Sequence, residues 1–542
     1  MEAKEDDPAS KCDSTPLPDP LPTSEAVFLP PKHSSQVYRS LPNGHIRLLR
    51  IHPDPSIFNT IKCSIFEYPI LRAQRTGLYE ALSYAWGSPP LGETPPSVLV
   101  DGCKFIVGEN LHAALLSLRD PWIDRIFWID AICINQSDED EKGHQVEYMA
   151  RIYARARAVV VWLGFATERS GRAMRTIQSL AMLQDNEEKR EKYRNMAMAM
   201  MSRRSAPSEN DDGWNIGELL QRPWFKRIWV VQEVAAARHI VIKCGRDEVS
   251  GQAFCAGIEI VMQTWPQIYQ DWEAPFVRTL IEPTIRLMKD ADRKPRHAED
   301  VSSRFSLNIG PLRHLIDMYR HREATDRRDK IYALLGMCSD DPGAAGLLPD
   351  YSIAWPVLIQ QLARSILKLA HPVVIDAWDN RDSVMIKGRS YVLGEIAPNH
   401  VAWNLKRMSL CWSVGAKQCG WHKLNPAFLE FNDLLEGDVL LMLDGARMPL
   451  IARHQNNYWT VVRIAADMEP PEKGSVPPGS QLMDIILIWD WGPVAGSPAP
   501  ELPGKLGVEQ FMLKLANFNG QLKRPLNLST DGVCFPIGKR VR

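Results

Sequence analysis

At 542 residues the chain is too long for one hydrophobic core, so two or three domains are expected. Lysine and arginine number 64 against 65 acidic residues, a formal net charge of -1, so no whole-chain field draws it to nucleic acid or to an anionic membrane. The ten cysteines follow no framework spacing, and the acidic start "MEAKEDDPAS" lacks the basic-then-apolar order of a secretory signal. A reducing, cytoplasmic setting is the expectation.

Residues 1–36 are rich in Pro, Ser and acids and read as a disordered leader. "IRLLRI", "IKCSIFEYPI" and "YEALSYAWG" read as strands, and "SVLVDGCKFIVGEN" as a hairpin turning at Asp101-Gly102. Asn110 is placed to cap a helix over "LHAALLSLRD". "RIFWIDAICI", residues 125–134, is an apolar run suited to a strand buried on both faces, with Asp130 its only interior charge. Ser137 is the expected cap of the next helix, whose apolar face is Val146, Met149, Ala150 and Tyr153. "AVVVWLG", residues 158–164, is the following buried strand.

That alternation predicts an α/β fold, an open doubly wound parallel sheet, over residues 40–245. Within it "KYRNMAMAMMSRRSAPSENDDG" is basic and Met-rich, with a loop from Ser205, and "RPWFKRIWVVQEVAAA" reads as an amphipathic helix. Helical signals dominate residues 246–380. Strand and turn signals over 385–500 predict a small antiparallel β domain, and 501–542 form a tail whose last twenty residues carry five basic groups and one acid. No run approaches the roughly 18 apolar residues that span a bilayer.

In open parallel sheets, side chains and helix ends converge beyond the carboxyl ends of the strands. Ser83, Tyr84, Trp86 and Gly87 end one strand; Asp130, Asn135 and Gln136 end another; Trp162 and Gly164 end a third. If the three run parallel, these residues share one rim, suited to a flat polar ligand or a docking partner. The plainer alternative makes Trp86, Trp128 and Trp162 core aromatics and Asp130 and Asn135 turn residues. Cys133 and His144 invite a thiol–imidazole dyad, but Cys133 lies in the apolar run and reads as core. Cys411, Cys419 and His422 lack zinc spacing. Neither a GxGxxG nor a GxxxxGK[ST] motif is present, so no metal and no resident cofactor are expected.

"YEALSYAWG", "FWIDAICINQSDEDEKGHQVEYMARIYARARAVVVWLG" and "RPWFKRIWVVQE", in that order, resemble the three blocks of the fungal heterokaryon incompatibility (HET) domain over about residues 79–240. "ATDRRDKIYALLGM" with Asp350-Tyr351-Ser352 resembles a block common downstream in such proteins. This chain departs from the pattern in having Glu141-Lys142-Gly143 ahead of His144-Gln145, where Glu-Arg is usual. A second departure is "VVRIAADMEPPEKG", which replaces the usual Gly-Glu continuation of the C-terminal β region. The resemblance implies a cytoplasmic fungal protein of non-self recognition that triggers growth arrest or programmed cell death, with a protein partner or self-association. The HET domain is in turn remotely similar to the TIR domain, some of whose members cleave NAD. That similarity implies a TIR-like, flavodoxin-like sheet and admits an NAD glycohydrolase-like activity with NAD as substrate. The transition state of such cleavage needs a carboxylate, for which Asp130, Glu141, Glu80 and Glu233 are the candidates, and Gln145 joins the rim. An accessory role beside a biosynthetic gene cluster is a further alternative.

Overall fold

The computed structural model describes residues 37–492 other than 57, 72–76, 88–94, 185, 193–194, 196–211, 265–275, 291–304, 370–372, 378–381, 397–408, 415–416, 424–434, 436, 456–457 and 465–481. The expected leader, the C-terminal tail and most of the Met-rich segment lie outside the described residues, as do the side chains of Cys411, Cys419 and His422.

The N-terminal half builds a nine-stranded sheet in the order β5-β4-β2-β1-β6-β3-β7-β8-β9. Its strands are β1 (His45–Ile51), β2 (Lys62–Pro69), β3 (Glu80–Tyr84), β4 (Ser97–Val100), β5 (Cys103–Ile106), β6 (Arg125–Trp128), β7 (Val159–Trp162), β8 (Ile240–Cys244) and β9 (Asp247–Ser250). The neighbours β6, β3, β7 and β8 are parallel. All four residues of β7 are buried, as a central strand covered on both faces requires.

The expected parallel sheet is found at the centre and corrected at its flanks: β1 pairs antiparallel with both β2 and β6, and β8 with β9. The short links from Ile51 to Lys62 and from Cys244 to Asp247 leave no room for the crossover helix that a parallel pair needs. β4 and β5 form the expected hairpin, with positive φ at Asp101 (49°) and Gly102 (80°), the signature of a type I′ turn.

Four local expectations are also corrected. The apolar run 125–134 is strand only to Trp128; the chain then turns through α2 (Asp130–Cys133). The helix α1 (Glu109–Leu118) begins after Gly108 rather than at Asn110. Asp138, not Ser137, caps α3 (Glu139–Arg155), accepting the Glu141 amide. The stretch from Arg222 is a 3₁₀ turn, Pro223–Lys226, followed by a helix, Trp229–Ala236, in which every residue is buried rather than one face. Proline at the start of that turn and the apolar content of the helix account for the break and the burial.

Helices α4 (Glu168–Ala181), α5 (Asp212–Leu220) and α6 (Trp229–Ala236) precede β8. Beyond β9 come α7 (Gly251–Thr264), α8 (Glu282–Lys289), α9 (Leu312–Tyr319), α10 (Asp329–Leu335) and α11 (Trp355–Leu367). The second sheet comprises β10 (Val374–Ala377), β11 (Ser383–Ile396), β12 (Ser409–Val414), β13 (Lys417–Lys423), β14 (Val439–Leu443), β15 (Leu450–His454), β16 (Trp459–Arg463) and β17 (Leu482–Asp490). The 14-residue β11 pairs with β17 along one stretch and with β14 along another. The order β11-β14-β15-β16-β17 therefore closes on itself as a small barrel, with β10 and the β12–β13 hairpin paired to β11 outside the ring. Among the described residues no helix is long and apolar enough to cross a membrane.

Candidate functional site

Because β6, β3 and β7 are parallel, their carboxyl ends share one edge of the sheet. β3 lies between the other two, so Ser83 and Tyr84 are buried at 0% and 2% exposure. A hydroxyl there must find partners or forfeit its hydration. Ser83 Oγ donates to Glu233 Oε2 and accepts Trp224 Nε1 at 2.7 Å. The first strand of the edge is thereby tied to α6 and to the 3₁₀ turn before it.

Glu233 is 1% exposed. Burial pushes its carboxyl up to about 7; the Arg227 guanidinium and the hydrogen bonds from Ser83 and Tyr153 oppose the rise, and the Asp130 charge adds to it. Tyr153 also donates to Leu82 O at 3.0 Å. Asp130, at 9% exposure, accepts Trp86 Nε1 on Oδ2 at 2.7 Å and the Ala131 amide on Oδ1 at 2.7 Å. Burial raises this carboxyl as well, against Arg227, Trp86 and a hydrogen bond with Tyr84. Arg227 Nη1 donates to Tyr84 O. Two buried carboxylates, both raised above their ordinary values, thus share one guanidinium and two phenols.

The remaining rim residues are spent on backbone and on one another. Asn110 donates to Ala85 O at 2.6 Å and accepts Trp162 Nε1 at 2.8 Å, joining α1 to the ends of β3 and β7. Gly87 and Gly164 hold φ of 79° and 102°, and a Cβ on Gly164 would sit 3.3 Å from an Arg222 nitrogen, so both glycines are required by the close turn. Gln136 donates to Asp130 O at 3.0 Å, and Asn135 Oδ1 accepts the Ser137 amide at 3.3 Å.

Two of the four candidate carboxylates lie outside this network. Glu141 binds Arg47 of β1 at 2.5 and 3.0 Å and accepts the Asn135 amide at 2.8 Å. Beside it Gln145 donates to His45 O at 3.0 Å. Glu80 pairs with Arg125 at the opposite, amino-terminal edge. Cys133 and His144 do not meet: burial pushes the thiol up to about 12, while the exposed His144 ring contacts Asp140 O at 2.8 Å.

Arg227, absent from the rim predicted from sequence, and Tyr153, expected only on the apolar face of its helix, both stand at the centre of the network. The segment bearing Arg227 is clamped from the C-terminal half. Ile228 donates to Glu323 O at 3.0 Å and Glu323 to Lys226 O at 2.8 Å. The fully buried Arg322 donates to Phe225 O at 2.8 Å, Leu280 O at 2.6 Å and Thr284 Oγ1 at 2.7 Å. The neighbouring Arg320 reaches Asp490 O at 3.0 Å and Val462 O at 3.3 Å in the barrel. The downstream block docks on α3: Lys142 Nζ lies 3.8 Å from the Tyr351 ring centroid. A Cβ on Gly143 would stand 3.1 Å from Pro349 O, which accounts for glycine at the departure from the usual pattern.

With this geometry in place, the chain can be set beside known proteins. Residues 79–233 match the family model of the heterokaryon incompatibility protein (HET). The chain is 28% identical over 366 residues to heterokaryon incompatibility protein 6, OR allele, of Neurospora crassa, across 60% of this chain and 52% of that protein. It therefore spans about half the length of the curated relative it matches. No solved structure matches it. The matched span opens beside Ser83 and ends at Glu233, the two residues whose side chains close the network. The chain thus carries a heterokaryon incompatibility (HET) domain, residues 79–233.

Proposed function

We propose that this is a HET-domain protein of fungal non-self recognition, acting in the cytoplasm to signal growth arrest or programmed cell death through a protein partner or self-association. The observation that carries the reading is that the family span closes across its ends: β3 near its start and α6 at its end are joined by the buried Ser83–Glu233 hydrogen bond. The name borne by the Neurospora crassa relative supports it. The four parallel strands β6-β3-β7-β8 support a TIR-like, flavodoxin-like core for the domain.

The state of the carboxylates favours signalling over NAD cleavage. Glu233 is 1% exposed, and Asp130 already accepts the Trp86 indole and the Ala131 amide; a group acting on substrate has to reach it. The test is expression of the full chain in a filamentous fungus, scoring viability after fusion with strains that lack it. Wild type is expected to arrest growth, and Ser83→Ala at equal abundance to lose the response. An inert wild type at full abundance would overturn the reading. Nicotinamide release from NAD by the purified protein, abolished by Asp130→Asn in a folded variant, would replace it with the enzymatic one.

A further inference from the structure

The amino-terminal edge of the parallel strands carries a different kind of surface. Phe58 is 92% exposed, Trp122 78% and Ile123 63%, on two loops that flank β1 and β6. Those loops are held against each other. Arg119, 9% exposed, donates to Asn59 O at 3.0 Å and Ser56 O at 2.6 Å, and the Asp54 amide donates to Asp120 O at 3.2 Å. Asp120 Oδ1 accepts the amides of Trp122 at 2.8 Å and Ile123 at 3.1 Å. Asp54 in turn accepts the Ser56 amide at 2.9 Å and the Asn59 side chain at 2.9 and 3.1 Å. Three large apolar side chains are thus presented outward on a backbone already fixed in place, so little ordering entropy remains to oppose binding.

We propose that this aromatic patch is a two-fold interface between two copies of the chain. An aromatic side chain offers roughly 150–250 Å²; with the exposures above, the three residues present on the order of 400–500 Å² of apolar surface. That is about half of the roughly 800 Å² that each partner contributes to a stable interface, with the loop rims left to supply the rest. The rims carry both signs: Asp54, Asp120 and Asp124 lie on the two loops, with Lys62 at the start of β2 and Arg50 near the end of β1, 3.9 Å from Asp124. Hydrogen bonds from Asn59 and the Ser56 amide hold the Asp54 carboxyl low, and the Trp122 and Ile123 amides do the same for Asp120, so both stay ionised. A rim of mixed sign complements its own two-fold image, whereas it repels in part any partner of uniform charge, such as an anionic bilayer. The net charge of -1 adds little repulsion between copies. The interface leaves the buried network at the opposite edge uncovered and does not rest on the function proposed above.

The experiment is sedimentation equilibrium of the full chain over a concentration series, with circular dichroism to verify folding. Wild type is expected to pass from one copy to two. Phe58→Glu and Trp122→Glu are each expected to raise the dissociation constant at least about tenfold, while Met182→Glu, a 78% exposed residue elsewhere, leaves it unchanged. A milder Trp122→Ser variant reads the same loss should either glutamate fail to fold. A wild type that stays monomeric throughout would overturn the proposal. So would a dimer indifferent to both patch variants, or binding of the patch to anionic vesicles with no self-association.

Discussion

The two edges of the parallel strands use opposite chemistry. At the carboxyl edge, charge is buried and shared: the side chains of Arg47 and Glu141 are only 4% and 11% exposed, and Asp130, Glu233, Arg227, Tyr84 and Tyr153 form one network. At the amino edge the corresponding pair, Arg125–Glu80, is 27% and 21% exposed, and the large side chains there face outward. Ser83, Asn110, Asp130, Glu141 and Glu233 at the first edge are all hydrogen-bonded within the chain, so that edge uses binding capacity to hold the fold. The second leaves apolar surface unanswered, and a surface of that kind is where an external partner gains most. A rim at the carboxyl ends of parallel strands therefore does not by itself mark the open face of the molecule.

The largest effect expected from this contrast comes from the two ion pairs. Glu141→Ala leaves a nearly buried guanidinium without its carboxylate and orphans the Asn135 amide, a loss of about 3–5 kcal/mol for a buried pair broken on one side. Glu80→Ala at the more open edge is expected to cost less than about 1 kcal/mol, since water screens it. Denaturant midpoints at constant m-value separate the two, and equal losses would erase the distinction between the edges.

The next effect is a pH dependence at the buried edge. The Glu233 carboxyl is raised from 4.5 to about 7 in the folded protein, so folding takes up a proton between those values. Its contribution is fully present below about pH 4.5 and is lost as pH rises through about 7, a difference of about 3 kcal/mol. Asp130, raised as well, acts in the same direction. Glu233→Gln, neutral throughout, is expected to flatten most of the stability decline between about pH 5 and 7.5, leaving the part due to Asp130. Parallel curves for the two proteins would mean that Glu233 is solvated and that the network is looser than its distances indicate.

The sequence showed the sheet through its apolar runs, because a strand covered on both faces has no other composition available. β3, β6 and β7 end where "YEALSYAWG", "RIFWIDAICI" and "AVVVWLG" place their polar residues, apart from the early turn after Trp128. Spacing alone did not distinguish the carboxylates. Glu141 and Asp130 both follow β6, but which one meets Arg47 depends on β1 lying antiparallel beside that strand, a pairing fixed by contacts distant in sequence. Arg227 and Glu233 lie six positions apart, yet their relation runs through Tyr84 and Ser83, more than 130 residues earlier. The aromatic loops carried no sequence signal either, because an exposed Trp and a core Trp are the same letter until the backbone around them is placed.

The smallest effect belongs to the exposed edge and tests the comparison from its other side. Trp122→Ser, measured below the concentration at which copies associate, is expected to change stability by no more than about 0.5 kcal/mol. The side chain is 78% exposed, and the bonds that fix its loop run through the Asp120 carboxylate and the Arg119 guanidinium, none of which the substitution removes. A loss of 2 kcal/mol or more would have the size of a core deletion of about 2–5 kcal/mol. It would place Trp122 against another part of its own chain, and the amino edge would then be covered from within, like the carboxyl edge. A near-zero change by thermal melting leaves the indole as surface whose burial awaits a partner.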